Sequence, residues 1–179
     1  MSEYLYDGPL TEEALLKWGY DEDMLLLEQD EDLVIGSAHE FYPVLAKLAL
    51  DPACPKADYC LTSIDFSLMF WVLRKHPGAA EEIRRTISLF DGQRQNELAI
   101  EFVRVNLLRL ALLAHEPIST FERATQIGSA ALNGISRRCD ISIEDKGAEW
   151  SVELSVPPLH QHKEWLRINK LSGEYTFGR

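Results

Sequence analysis

QRQNELAIEFVRVNLLRLALLAH, residues 93–115, decides how the rest of the chain is read. Leu98, Ile100, Val103, Val105, Leu107, Leu108, Leu110, Leu112 and Leu113 leave a thin polar stripe through Glu97, Glu101 and Arg104. A helix that is apolar on nearly every side is normally a buried one, so a central core helix is expected here. It is not a membrane span. Glu101, Arg104 and Arg109 interrupt it, and it falls short of the roughly 18 charge-free apolar residues that crossing a bilayer requires.

On its N-terminal side the apolar period is helical. Thr11 caps a short helix with Glu12 and Glu13 at its positive end, Ala14, Leu15 and Trp18 inward and Gly19 as its stop. Asp21 reads as the cap of a second short helix through Met24 to Leu27. EQDED (28–32) then reads as a loop, followed by a short extended LVIG. Ser37 and Glu40 form a capping-box pattern, but Pro43 leaves two starts open: that one, or a helix beginning near Tyr42 with Pro43 in its first turn. DPACPKAD (51–58) is a turn region, and Thr62 with Asp65 reads as the start of an apolar helix ending at Arg74-Lys75-His76 before Pro77. An amphipathic helix over 79–90 puts Ile83, Ile87 and Phe90 inside. Beyond the central helix, Ser119 and Glu122 open another, which Asn133-Gly134 closes. Gly128, Ser129, Ala130 and Ala131 suit close approach to another helix.

After Gly134 the period changes to two. Cys139, Ile141 and Ile143, then Trp150, Val152, Leu154 and Val156, alternate with polar residues across an Asp145-Lys146-Gly147 turn. Residues 164–171 and 174–177, joined at Ser172-Gly173, form a second hairpin. A sheet with one wet face needs its other face covered, and the 119–133 helix is the best placed to cover it. The fold expected is α+β within one domain. About seven helices fill the predominantly helical N-terminal three quarters (1–134), and a small antiparallel sheet of two hairpins (135–179) packs on them. Helix pairs ending near His76 and His115 share no constant period, so a helical solenoid is not expected.

Composition bounds the function. The chain has 179 residues and a net charge of −11, with hydrophobic content typical of a folded domain. Residues 1–32 hold eleven acids against one base, Lys17, so −10 of the −11 sits in the first fifth of the chain. Such a segment disfavours nucleic acid and anionic membrane, which call for clustered Lys and Arg. A basic protein surface is its natural complement. Asp21, Glu22, Asp23, Glu28, Asp30, Glu31 and Asp32 are the expected centre of that contact. The plainer reading is helix caps and a solvated acidic face. EQDED lacks the glycine and spaced ligands of an EF-hand loop, so calcium is not expected.

Other candidates are weaker. His160 and His162, two apart, would share a strand face suited to a metal, but Pro157-Pro158 points to a loop with exposed histidines. Cys54 and Cys60 are six apart, not a C-x-x-C pair, and read with Cys139 as small buried hydrophobes. A Cys–His nucleophile using His39, His76 or His115 has no motif behind it; His76 and His115 fit helix C-termini. Phe70, Trp71 and Trp150 read as core. Trp165, with Tyr175 or Leu171, is a candidate exposed contact. No phosphate-binding glycine loop, dinucleotide fingerprint, Gly-x-Ser-x-Gly elbow or His-Glu-x-x-His occurs, and no cofactor is indicated.

Three unspaced cysteines and a start, MSEYLYDGPL, without a basic then apolar run predict a reduced, cytoplasmic setting. The expectation is therefore a non-enzymatic binding protein that docks on a basic partner, in its sharpest form an immunity-type inhibitor of a bacterial toxin or nuclease. The alternatives are an enzyme with an unmarked carboxylate- or metal-dependent hydrolytic site, or an adaptor pairing through the sheet edge at 175–179. Nothing in the pattern selects an oligomeric state.

Overall fold

A computed structural model describes residues 5–6, 11–22, 26–27, 39–93, 96–135, 139–155 and 163–178. The helical part precedes a four-stranded antiparallel sheet, the α+β arrangement the change of period predicts. In chain order the elements are β1 (Leu5–Tyr6), α1 (Glu12–Tyr20), β2 (Leu26–Leu27), a 3-10 turn (His39–Phe41), α2 (Tyr42–Leu50), α3 (Ala57–Leu73), α4 (Ala79–Ser88), α5 (Glu97–Leu113), α6 (Phe121–Leu132), β3 (Asp140–Asp145), β4 (Glu149–Ser155), β5 (Lys163–Asn169) and β6 (Tyr175–Gly178).

Six α-helices stand among the described residues where about seven were expected. The difference lies at Asp21. Its backbone N–H donates to Trp18 O and ends α1, and Leu26–Leu27, expected in a helix, pairs in parallel with Leu5–Tyr6 as β2. Gly19 does not stop α1; it lies in the last turn, so close to Leu48 that a Cβ there would come within 2.7 Å of Cδ2. Of the two starts open near Pro43, the later one forms, with Tyr42 and Pro43 opening α2, where a proline costs no helical hydrogen bond.

The Thr62/Asp65 start is overturned. α3 begins five residues before Thr62, at Ala57, which leaves Thr62 and Asp65 inside the helix and Asp65 buried. The Ser119 start moves by one residue, because the side chain of Thr120 accepts from Arg123 N and caps α6.

α5 is not buried on all sides. Ala99, Phe102, Val105, Asn106, Leu108, Arg109 and Leu112 face the core, while Ile100 and Leu107 are 50% and 55% exposed. Phe70 and Trp71 are half-buried rather than central.

The four strands form one meander, β3-β4-β5-β6, so the two hairpins join through a β4–β5 ladder. Ile143, Val152, Leu166 and Phe177 lie in register on one face, and Trp150, Ile168 and Tyr175 in the next row. α6 covers that face as expected. Its Gly128 meets the sheet rather than another helix: a Cβ would lie 2.8 Å from Val152 Cγ1. Tyr175 Oη donates to Val72 O (2.6 Å) and fastens β6 to α3, while Ile118 in the α5–α6 loop accepts from Trp150 Nε1 at its carbonyl (2.7 Å) and donates its N–H to Lys170 O in the β5–β6 turn (2.9 Å). Tyr175 is thereby core, not contact surface. Leu171 is 87% exposed, and Trp165 is half-buried on the outer sheet face, stacked above Gly178 with the Arg167 guanidinium 5.1 Å from its ring.

Candidate docking surface

The acidic segment enters the described structure through α1. Thr11 Oγ1 accepts from Ala14 N at 3.1 Å and fixes the helix start, and Glu12 and Glu13 complement its positive end. Leu15 and Trp18 are fully buried, which anchors the inner face and directs Glu12, Glu13, Lys17 and Tyr20 to solvent. The far end is held by Lys56, whose ammonium donates to Trp18 O at 2.8 Å and to Asp21 O, placing a cation on the negative end of the helix. The Cys54 thiol donates to Gly19 O at 3.2 Å.

Tyr20, the last residue of α1, is 45% exposed. Its hydroxyl donates to Asp51 Oδ2 at 2.5 Å, and Asp51 Oδ1 accepts from Ala53 N at 2.8 Å. The Tyr20 hydrogen bond, then that from Ala53, holds the Asp51 carboxyl below its ordinary range. The same bond pushes the Tyr20 hydroxyl up to about 12. Beside it lies a shallow groove of about 770 Å³ lined by Glu13, Leu16, Lys17, Tyr20, Asp21 and Glu22. A second hollow of about 560 Å³ runs between Glu12, Glu40, Phe41, Pro43, Val44 and Lys47. In both, carboxylates outnumber lysines around a partly apolar floor.

Of the expected contact residues, Asp21 is half-buried and Glu22 exposed, and both line the groove. Asp23, Glu28, Asp30, Glu31 and Asp32 lie outside the described residues, as do His160 and His162. Tyr20 and Asp51 were missed: Tyr20 reads as one tyrosine among six, and Asp51 is 31 residues away in a turn.

The cysteines and histidines carry little. Cys54 and Cys60 are buried as expected, Cys139 only half so. Burial pushes the Cys60 thiol up to about 12, the reverse of an activated nucleophile. His76 lies 4.2 Å from the Trp71 ring, with His39 on the same ring at 5.6 Å, and His115 Nδ1 is 3.3 Å from Gly173 O. Among the described residues no three His, Cys, Asp or Glu converge in a way that could hold a metal. No helix among them is long and apolar enough to cross a membrane. A smaller hollow of about 310 Å³ mixes charges, with Lys75 and Arg167 facing Glu149 and Glu174.

No protein-family profile, no curated protein and no solved structure matches the chain.

Proposed function

We propose that this chain is a non-enzymatic binding protein that docks on a basic protein through the acidic face of α1 and the segment that follows it, with an immunity-type inhibitor of a toxin or nuclease as its sharpest form. The observation that supports this is the groove lined by three acids, Glu13, Asp21 and Glu22, against one base, Lys17, together with Leu16 and Tyr20. Carboxylates in one groove with an aromatic suit a basic surface in two ways. The charges steer encounter and reject acidic competitors, and the ring supplies a desolvated anchor. The hydrogen bond to Asp51 already fixes the Tyr20 side chain, which lowers the entropy lost on binding.

The test is capture from source-cell lysate by two baits, the wild type and a variant carrying Glu13→Gln, Asp21→Asn, Glu22→Gln, Asp30→Asn, Glu31→Gln and Asp32→Asn. A basic protein held only by the wild type, released by salt and weakened by Tyr20→Ala, is the expected result. Two baits that capture the same proteins would overturn the proposal.

A further inference from the structure

We infer that the hollow lined by Lys75, Glu149, Arg167 and Glu174 is a binding site for a small zwitterion, of the size and charge pattern of a free α-amino acid. The inference does not rest on the α1 reading. The hollow, about 310 Å³, opens where one end of the β4–β5–β6 sheet meets the loop after α3. Glu149 pairs in register with Asn169, and Asn169 N donates to Glu174 O at 2.8 Å, so the two acids stand on either flank of Asn169. Arg167, two residues back along β5, points to the same sheet face as Asn169.

Two cations and two carboxylates line this hollow, yet among the described residues no ion pair joins them. Exposed pairs close readily elsewhere on the chain, Glu101 with Arg104 and Asp145 with Lys170 each at 2.5 Å. Here the cations are held by rings instead. Lys75 Nζ lies 4.7 Å from the centre of the Tyr175 ring, and the Arg167 guanidinium 5.1 Å from that of Trp165. Lys75 is also fixed at its root: it follows α3 at φ +53°, a left-handed position that glycine usually takes. Asn169 adds a donor, because its Oδ1 already accepts from Leu171 N (3.0 Å) and Ser172 N (2.9 Å) and its Nδ2 is left to donate.

Charge selects the ligand class. The four charges cancel, in a chain that carries −11. A simple cation gains from the acids and is repelled by Lys75 and Arg167; a simple anion meets the reverse. A zwitterion satisfies both pairs, with its ammonium between Glu149 and Glu174 and its carboxylate on Lys75, Arg167 and Asn169 Nδ2. The volume stands at the small end of ligand clefts and fits an amino acid rather than a nucleotide.

Nuclear magnetic resonance of the full 15N-labelled chain at neutral pH tests this, with glycine and then each larger α-amino acid as probe. At least one is expected to shift the amides of Lys75, Asn169 and Thr176 to saturation. Acetate and methylammonium, which each carry one of the two charges, are expected to bind roughly tenfold or more weakly. Arg167→Gln and Glu174→Gln, both at exposed positions, are expected to weaken the bound amino acid by a similar factor with melting unchanged. Glu144→Gln, which removes a charge from β3 outside the hollow, is expected to leave binding intact. Amides that no amino acid shifts, single-charge ions that bind as well, or binding indifferent to Arg167→Gln and Glu174→Gln would overturn the inference and leave the four charges as solvated surface.

Discussion

Asp65 and Arg109, 44 residues apart in sequence and both buried, meet with Oδ1 and Nη1 at 2.6 Å and so join α3 to α5. The pair extends further. Arg109 Nε donates to Ala130 O in α6 at 2.9 Å, Nη1 donates to Asn106 Oδ1 at 3.0 Å, and Asp65 Oδ2 accepts from Ile135 N at 3.0 Å. One ion pair therefore fixes the point where three helices converge and the chain leaves for the sheet. It is incompletely satisfied, because Arg109 Nη2 has no hydrogen-bond partner.

Removing one member leaves a buried charge without its counter-charge. Asp65→Leu and Arg109→Met are each expected to destabilise by ~3–5 kcal/mol, a large part of the stability of a typical domain. The double variant is expected to be more stable than the sum of the two losses implies, since it buries no charge. Urea unfolding of the four proteins measures the coupling. Strictly additive losses would mean that the two side chains act independently.

Gly134 tests the same junction from the backbone. It ends α6 at φ +60°, and a Cβ there would lie 2.1 Å from Asp65 Oδ2 and 2.9 Å from Arg109 Nη2. Gly92 also has positive φ, +85°, but a Cβ there meets nothing within 4 Å. Gly92→Ala is expected to cost only the left-handed backbone term, ~1–2 kcal/mol. Gly134→Ala is expected to cost distinctly more, because the methyl also displaces the ion pair. Equal melting temperatures for the two variants would contradict this.

How much of this was legible in the sequence follows from which interactions are local. The switch from helix to sheet at Gly134 was readable because a period of 3.6 gives way to one of two within a few residues, and the α6 cover followed from the need to bury one sheet face. Thr62 and Asp65 were misread as a helix start because Thr62-Ser63-Ile64-Asp65 has the local spacing of a capping box. The true partner of Asp65, Arg109, lies two helices away and leaves no trace in the spacing. The exposure of Ile100 and Leu107 was hidden for a related reason: a helix apolar on every side does not reveal which side finds a neighbour. At α1 the acids themselves were legible, but the ring of Tyr20 and its tether to Asp51 required the fold.

Gly128 and Val152 set how closely helix α6 approaches strand β4. A Cβ at Gly128 would lie 2.8 Å and 3.0 Å from the two Val152 methyls, so Gly128→Ala must lift the helix or shift the strand. A loss of ~1–3 kcal/mol is expected from this overpacking. Val152→Ala alone leaves a cavity beneath α6 and also destabilises. Combining the two exchanges one methyl position for another, and the double variant is expected to recover part of the Gly128→Ala loss. Thermal melts that show no recovery would place the strain elsewhere.

Burial pushes the hydroxyls of Tyr42 and Tyr175 up to about 12; Tyr42 donates to Ser67 Oγ (2.5 Å), a bond that offsets part of its shift, and Tyr175 donates to Val72 O (2.6 Å). Burial raises the Cys60 thiol to about 12 as well. For each group the native pKa lies above the unfolded one, so its neutral form is favoured by folding. That contribution is complete below the unfolded values, near 10 for the tyrosines and 9 for the thiol, and is lost as pH rises through the window up to about 12. Stability is therefore expected to be flat with respect to these groups through neutral pH, then to fall from pH 9–10 upward. The unfolded chain releases these protons first, and the slope is at most ~1.4 kcal/mol per pH unit for each group, reduced by partial solvent access. Tyrosinate absorbance checks this directly. Part of the chain's tyrosine is expected to resist titration near pH 10 and to ionise together with unfolding. If every tyrosine titrates near 10 while the far-ultraviolet spectrum is unchanged, Tyr42 and Tyr175 do not hold their protons through burial.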